Sequence, residues 1–204
     1  DIEAGPSELL VLADSSADPQ ALAWDLVAQA EHDPDACTAL ACDSEALACA
    51  VETHLDAALE KLAMDNTSNA ATARAALQKS WILVSSSRME LAEAANVLAP
   101  EHLQLAVRDP EGLSKLCVNA GAVFLGPRCA EALGDYGAGP NHTLPTAQAA
   151  RYAEGLSVYS FTRVRTWIRM DTKPDSEQIY RDSAALARLE GLYAHARSAE
   201  SRLS

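Results

Sequence analysis

The stretch LLVLADSSADPQALAWDLVAQAEHDPDACTALAC, residues 9–42, decides the fold. Its first five residues are apolar, which is typical of a buried strand. Asp18 and Pro19 then supply a helix N-cap and a proline at the first helical position, and the helix is expected to run to Glu31 or His32 before Pro34. A short apolar segment over 38–42 predicts a second strand. Strand, helix and strand in this order predict a parallel pair with a crossover helix.

The same alternation continues along the chain. Further strands are predicted over residues 81–85, 103–107 and 120–125, and helices over 44–62, 70–78, 89–98 and 110–118. Residues 134–145 are rich in Gly, Pro, Asn and His, which predicts an irregular loop. The whole pattern predicts an α/β fold, with a partial Rossmann-like parallel sheet and flanking helices.

The last part of the chain has a different pattern. Residues 158–170 are predicted to be extended, and residues 175–203 are predicted to form one long amphipathic helix. The apolar side of that helix carries Ile179, Leu186, Leu189 and Tyr193. We therefore expect an α/β domain over residues 1–156 and a small C-terminal segment over residues 157–204.

Composition limits the classes of partner. The formal net charge of −13, from 16 basic and 29 acidic residues, argues against nucleic acid and against an anionic membrane surface. No apolar run is long enough to predict a membrane span, and the N-terminal residues lack a signal-peptide pattern. The five cysteines are odd in number and lack two-residue spacing, which predicts free thiols in a reducing compartment such as the cytoplasm. The chain begins at Asp1, as expected for a processed product or a piece of a longer chain.

Two pairs of polar residues are candidates for chemistry. Gln29 and His32 share one face near the end of a predicted helix, where an oxygen and a nitrogen ligand could bind one metal ion. On its own this pair is better explained as a surface Gln and a capping His. Glu101 and His102 follow Pro100 at a junction between helix and strand, and both side chains can accept protons near neutral pH. An exposed charged turn is the simpler interpretation of that pair.

Two further regions are less decisive. The segment around Asp135 concentrates metal-ligand residue types among residues that fix the backbone, but a tight loop bonded to its own backbone explains it equally well. Glu190 and His195 are five residues apart on a predicted helix, and a solvated helix face is the simpler interpretation. Neither a glycine-rich dinucleotide motif nor a Gly-x-Ser-x-Gly motif is present in the sequence.

Taken together and in order, these segments resemble the signature segments of the histidinol dehydrogenase family. The resemblance runs from the first residues to the last. The matching segments are AGPSE at 4–8, QAEHD at 29–33, APEHL at 99–103, GDY at 134–136, GPNHTLPT at 139–146, and Glu190-Gly191-Leu192 with His195.

The resemblance implies an activity and its cofactors. The family oxidises L-histidinol to L-histidine in histidine biosynthesis, through an aldehyde held on the enzyme, with reduction of two NAD molecules. By resemblance, one zinc ion would orient the substrate, as metal ions can do by acting as templates. Its ligands would be Gln29, His32, Asp135 and His195. The compartment would be the cytoplasm, or a plastid in a photosynthetic eukaryote.

The resemblance also implies roles for individual residues. His102 would take the proton from the alcohol, and Glu101 would activate the water that attacks the aldehyde. Ser7 and Glu190 would hold the substrate together with these residues and the zinc ligands. The family is a homodimer in which Glu190 and His195 come from the partner chain, so a monomer would lack a complete metal shell. Residues 1–156 would be the later half of the zinc- and substrate-binding domain, and residues 157–204 the dimerisation segment.

The resemblance leaves NAD binding by this chain open. Family members are longer, and the part that precedes Ala4 in them contains a second nucleotide-fold domain and most of the NAD contacts. Cofactor-binding residues therefore stay unassigned. One alternative is a non-catalytic, zinc-dependent, dimeric histidinol-binding fragment. Another is a zinc hydrolase in which Glu101 acts with a metal-bound water.

Overall fold

The computed structural model describes residues 5–170 and 174–203, which divide between two compact units, 1–161 and 162–204. The first unit contains five strands. They are β1 (Glu8–Ala13), β2 (Cys37–Cys42), β3 (Trp81–Val84), β4 (His102–Ala106) and β5 (Ala122–Leu125). All four pairings are parallel, and the strand order is β3-β2-β1-β4-β5. The predicted α/β fold with a parallel sheet is confirmed. β2 and β3 lie on one side of β1, and β4 and β5 lie on its other side. The strand order therefore reverses between β1 and β4, as in doubly wound folds.

Five helices connect the strands of the first unit. They are α1 (Pro19–Ala30), α2 (Glu45–Asp65), α3 (Thr67–Leu77), α4 (Arg88–Leu98) and α5 (Pro110–Ser114). The Asp18 side chain caps α1 by accepting from the Gln20 N–H, and the Ser44 hydroxyl caps α2 by accepting from the Leu47 N–H. Single turns of 3₁₀ helix lie at Glu131–Gly134, Ala149–Arg151 and Val158–Phe161.

The prediction of a helix over 110–118 is wrong in its length, since α5 ends at Ser114. The Asn96 side chain explains the early end. Its carbonyl accepts from the Val118 N–H at 2.7 Å and the Asn119 N–H at 3.3 Å, and its amide donates to the Leu116 carbonyl at 2.7 Å. These bonds to α4 hold the chain outside a helix.

Both faces of the sheet are covered, and β1 lies at its centre. Leu9 and Val11 pack among side chains from α1 and α2, whereas Leu10 and Leu12 pack among side chains from α4 and β4. Burial of each large apolar side chain contributes about 1.5–3 kcal/mol. A strand is present where one was predicted over 81–85, but the prediction that this strand is buried is wrong. β3 is an edge strand, and Trp81 in it is 39% exposed.

The C-terminal unit contains two helices, α6 (Pro174–Leu189) and α7 (Tyr193–Glu200), so the prediction of one long helix is wrong. The break lies at Gly191, whose φ of 78° is left-handed. The N–H groups of Gly191 and Leu192 turn back to carbonyls of the last turn of α6, as in a Schellman end. Ala184 and Ala196 are buried in this unit, whereas Ile179, Leu186, Leu189 and Tyr193 are exposed.

The segment predicted to be extended, residues 158–170, begins instead with the 3₁₀ helix and then lacks regular structure. The roles assigned to residues 1–156 and 157–204 stay predictions. No described helix has the length and apolar content that crossing a bilayer requires.

Candidate active site

The candidate catalytic residues lie at the amino edge of the sheet. Glu8 opens β1, and His102 opens the neighbouring strand β4, with Leu9 paired to His102 in the register. The crossover helix α1 runs back from the carboxyl ends of the strands, so its last turn carries Gln29 to the same edge. Three segments far apart in sequence therefore meet at one place.

Glu8 and Glu101 form a reciprocal pair. The Glu8 N–H donates to Glu101 Oε2 at 3.0 Å, and the Glu101 N–H donates to Glu8 Oε2 at 3.2 Å. The other carboxylate oxygen of Glu8 accepts from the Ala147 N–H at 2.9 Å. Glu8 therefore ties the predicted catalytic carboxylate to β1 and to the end of the loop that follows Asp135.

The imidazole of His102 has a defined orientation. Its Nδ1 lies 3.0 Å from the Glu8 carbonyl oxygen. Because a carbonyl can only accept, Nδ1 carries the hydrogen and the neutral ring keeps its lone pair at Nε2. The Phe124 ring lies against the imidazole, with 5.9 Å between ring centroids. Burial lowers the pKa of His102, which keeps the ring neutral and able to accept a proton.

The Glu101 carboxyl group titrates near neutral pH. Burial is the largest cause that raises its pKa to about 7, and the negative charges of Glu8 and Asp135 act in the same direction. Hydrogen bonds from the backbone at Glu8 and from the Ser7 side chain oppose the rise. A carboxyl group that titrates near neutrality can exchange protons with a bound substrate or water.

Gln29 is buried without a partner. It is 1% exposed, and neither its Oε1 nor its Nε2 has a hydrogen-bond partner among the described residues. An unsatisfied buried polar group costs about 1–3 kcal/mol, so such a group points to a missing ligand. His32 follows α1 and is exposed. The Gln, His and Asp donor types at this edge fit a zinc ion.

The structure brings together most of the predicted site residues in the first unit. The Ser7 side chain bonds Glu101, and Glu101 Oε2 lies 3.5 Å from His102 Nδ1. The charges of His32 and Asp135 both act on the pKa of His102, so these two side chains lie near it. Across residues 5–170 and 174–203, no three His, Cys, Asp or Glu side chains are grouped closely enough to hold a metal ion. Glu190 and His195 belong to the C-terminal unit, where both side chains are exposed.

Two residues of this site were not predicted, Glu8 and Glu131. Glu131 is 2% exposed, and its Oε1 lies 3.6 Å from His102 Nε2. Burial is the largest cause that raises its pKa to about 7, followed by the charges of Asp135, Asp25 and Glu101. The local sequence around Glu131 carries no signal for this position. Glu8 had a weak signal, because it belongs to the segment AGPSE that resembles the family.

A pocket of about 290 Å³ lies at the opposite, carboxyl edge of the sheet. Its polar lining comes from residues that follow β1, β2, β3 and β4, and its apolar lining comes from Leu91, Val107 and Leu113. Its charged residues are Asp14, Asp43, Arg88, Arg108 and Asp109. Open α/β sheets commonly bind ligands at this edge, where the strand order reverses. The groups that can exchange protons are at the other edge.

Comparison with known proteins gives consistent matches over the whole chain. The family model for histidinol dehydrogenase matches residues 1–203. The histidinol dehydrogenase of Ruegeria pomeroyi is 44% identical over 100% of this chain and 46% of its own length. That of Oleidesulfovibrio alaskensis is 47% identical over 96% of this chain and 44% of its own length. That of Thiocapsa roseopersicina is 40% identical over 99% of this chain and 84% of its own length.

The fold matches as well. A crystal structure of histidinol dehydrogenase from Elizabethkingia anophelis superposes with a TM-score of 0.91 at 35% identity, covering 100% of this chain and 46% of that chain. The chain thus spans about half the length of most of these relatives. From the family match over residues 1–203 and the shared fold, we conclude that the chain belongs to the histidinol dehydrogenase family.

Proposed function

We propose that this chain supplies the zinc- and histidinol-binding part of an oxidoreductase that converts L-histidinol to L-histidine with NAD, in histidine biosynthesis. The observation that carries the proposal is the buried pair of Glu101 and His102. In this pair a carboxyl group that titrates near neutral pH lies beside a neutral imidazole. The family membership supplies the substrate class.

In the first oxidation, His102 takes the proton of the substrate alcohol at Nε2. The Glu8 carbonyl keeps the hydrogen at Nδ1, so the lone pair is at the nitrogen that must act as base. When bound, zinc supplies a positive charge that orients the substrate, and NAD is the acceptor of the hydride. The proposed ligands in the first unit are Gln29, His32 and Asp135, and His195 completes the set.

In the second oxidation, Glu101 activates the water that attacks the aldehyde. A pKa of about 7 leaves a substantial ionised fraction at neutral pH while the group still binds a proton readily. The Glu8 backbone N–H fixes the carboxylate that must face the water. Ser7 and Glu190 hold the substrate in this proposal.

We propose that the chain works as a homodimer, in which Glu190 and His195 reach the site of the second copy. Several large apolar side chains of the C-terminal unit are exposed, and exposed apolar surface supports contact with a partner. They are Val164, Trp167, Ile168, Leu186 and Leu189. The acidic net charge supports the exclusion of nucleic acid and anionic membranes as partners. The five free cysteines support a reducing compartment, the cytoplasm or a plastid.

The test combines turnover with binding. We expect calorimetry to show that the zinc-loaded chain binds histidinol and that a chelator abolishes this binding, and NADH formation from histidinol is measured in parallel. His32→Asn should lose zinc, whereas the matched variant His54→Asn, on α2, should keep it. Histidinol binding with zinc, but without NAD binding or turnover, would favour the non-catalytic histidinol-binding fragment. Binding that is independent of zinc would contradict both.

A further inference from the structure

The two nitrogens of His102 face oxygen atoms of different residues. Nδ1 faces the Glu8 carbonyl at 3.0 Å and Glu101 Oε2 at 3.5 Å, whereas Nε2 faces Glu131 Oε1 at 3.6 Å. Both the imidazole and this carboxyl group are buried, at 5% and 2% exposure. The nitrogen that must act as base in the proposed reaction therefore has a buried carboxyl group as its neighbour.

A glycine allows Glu131 to reach this place. The 3₁₀ helix Glu131–Gly134 lies so close to Phe124 that a Cβ atom at Gly134 would be 2.9 Å from the end of the ring. The same Phe124 ring lies against the His102 imidazole. The close approach of Gly134 to Phe124 thus sets the distance between the helix that carries Glu131 and the imidazole.

The surroundings of Glu131 are acidic. Asp25 on α1, Asp135 after the 3₁₀ helix and Glu101 before β4 all act on its charge. Gln104, on β4, binds Asp25 through its Nε2 at 2.7 Å and does not neutralise it. Among the described residues, no Lys or Arg lies within ion-pair distance of Glu131, and the His102 imidazole does.

We propose that Glu131 is a positioning residue for His102. Glu131 holds the Nε2 side of the imidazole, while the Glu8 carbonyl holds the Nδ1 side. The proposal rests on the proposed function, in which Nε2 is the base. When Nε2 has taken a proton, the carboxylate of Glu131 balances the charge of a buried imidazolium that the apolar Phe124 ring cannot balance. Glu131 needs no contact with the substrate for this role.

The ring nitrogens of the isotope-labelled chain give a test that does not require turnover. Correlation spectra of the histidine rings are recorded, and the His102 signals are assigned by their loss in His102→Asn. Glu131→Leu should move the Nε2 resonance toward that of an unbonded ring nitrogen and leave the Nδ1–H signal in place. Glu131→Gln should give a smaller shift in the same direction, because the amide keeps the size of the side chain but cannot carry its negative charge. Glu111→Gln, at an exposed position of α5, should change neither signal.

A second variant leaves the carboxyl group intact. Gly134→Ala should push the 3₁₀ helix away from Phe124 and give the same direction of shift at Nε2. If the Nε2 resonance is unchanged in folded Glu131→Gln and in Gly134→Ala, the proposal is wrong. Glu131→Gln and Gly134→Ala therefore decide the proposal even if Glu131→Leu does not fold.

Kinetics separate this role from a general structural one. We expect Glu131→Gln to lower kcat on the order of 100-fold, as for loss of assistance to a general base, with KM for histidinol and zinc content unchanged. Loss of zinc or a raised KM with normal kcat would contradict the proposal. If the wild-type chain gives no turnover, the proposed function fails for the isolated chain, and the ring spectra still decide the role of Glu131.

Discussion

The amino and carboxyl edges of the sheet both carry acidic side chains, but the pKa values of these side chains are shifted in opposite directions. At the amino edge, burial raises the pKa of Glu101 and lowers that of His102, so both groups favour their neutral forms. At the carboxyl edge, burial also opposes ionisation of Asp14, but hydrogen bonds from Ser16 and the Arg108 N–H outweigh it and lower the pKa. Asp109 pairs with Arg88 in solvent. Asp14 and Asp109 at the carboxyl edge are thus stabilised in their ionised forms, whereas Glu101 at the amino edge is left able to exchange protons.

The comparison shows that the position of a crevice in a fold does not by itself locate the chemistry. The carboxyl edge has the pocket and the reversal of strand order at which nucleotides bind in doubly wound folds. Its first turn, however, carries Asp14 and Asp18 and lacks the glycines that let a phosphate approach the backbone. The desolvated groups at the amino edge are the better candidates for catalysis.

The largest expected effect separates the two edges by activity. Under the proposed function, His102→Asn should reduce histidinol oxidation by about 10²–10⁴-fold, because it removes the general base, while zinc stays bound. Arg108→Gln, in the pocket at the carboxyl edge, should leave turnover unchanged. Steady-state rates and metal analysis of both variants check this. Equal losses in the two variants, or zinc loss in His102→Asn, would contradict the assignment.

The two edges should also respond to pH with opposite sign. Glu101 and Glu131 titrate at about 7 in the folded chain and near 4.5 when unfolded, so the folded state binds more protons between these values. Each group then favours the folded state at low pH, and this contribution, on the order of 3 kcal/mol, is lost as pH rises through 7. Asp14, with its lowered pKa, contributes stability that is lost as pH falls.

Urea unfolding of the metal-free chain between about pH 5 and pH 8 measures the contribution of the two buried glutamates. The double variant Glu101→Gln, Glu131→Gln should flatten the decline toward pH 8. Asp14→Asn should leave this range unchanged and flatten the decline in more acid solution instead, because Asp14 titrates below its ordinary pKa of 3.8. A wild-type stability that rises steadily from pH 5 to pH 8 would show that the buried carboxyls do not have raised pKa values.

A smaller effect concerns packing at the amino edge. A Cβ atom at Gly121 would lie 2.6 Å from the Glu101 carbonyl oxygen and 3.1 Å from Pro145 Cδ, so Gly121→Ala should cost about 1–3 kcal/mol of unfolding free energy. It should also lower activity, since it displaces Glu101. Gly126→Ala, after β5 at the carboxyl edge, meets only an ordinary contact at 3.9 Å but strains a φ of 90°. That variant should lose stability with activity per folded molecule unchanged.

The smallest effect tests backbone strain beside the site. Ala99 has a left-handed φ of 47° at the end of α4, directly before Pro100 and Glu101, as is common where a helix ends. Ala99→Gly should raise the free energy of unfolding by up to about 1 kcal/mol by relieving this strain. Ala95→Gly, inside α4, should instead lower it by about 1 kcal/mol. Urea midpoints of the two variants compare them, and a loss in both would contradict the strain.

Local patterns predicted much of the fold. The strand at 8–13, the helix after Asp18 and Pro19, and the irregular loop after Gly134 depend on neighbouring residues, namely an apolar run, a cap and a set of turn residues. The break at Gly191 was missed, because an apolar stripe at helical spacing continues across the glycine. The exposure of Trp81 was missed because nothing in the sequence says which strand lies at the edge.

The sequence by itself determined the parallel α/β class and, through the order of short polar segments, the family and the residues Ser7, Gln29, Glu101, His102 and Asp135 as candidates. The tertiary structure decided which of them touch and in what protonation state. Glu8 and Glu131 acquire their roles from partners that are distant in the chain, at Glu101, His102 and Ala147. Burial and hydrogen bonding depend on those partners, because the desolvation of an acid is fixed by everything packed around it and not by the residues beside it in the sequence.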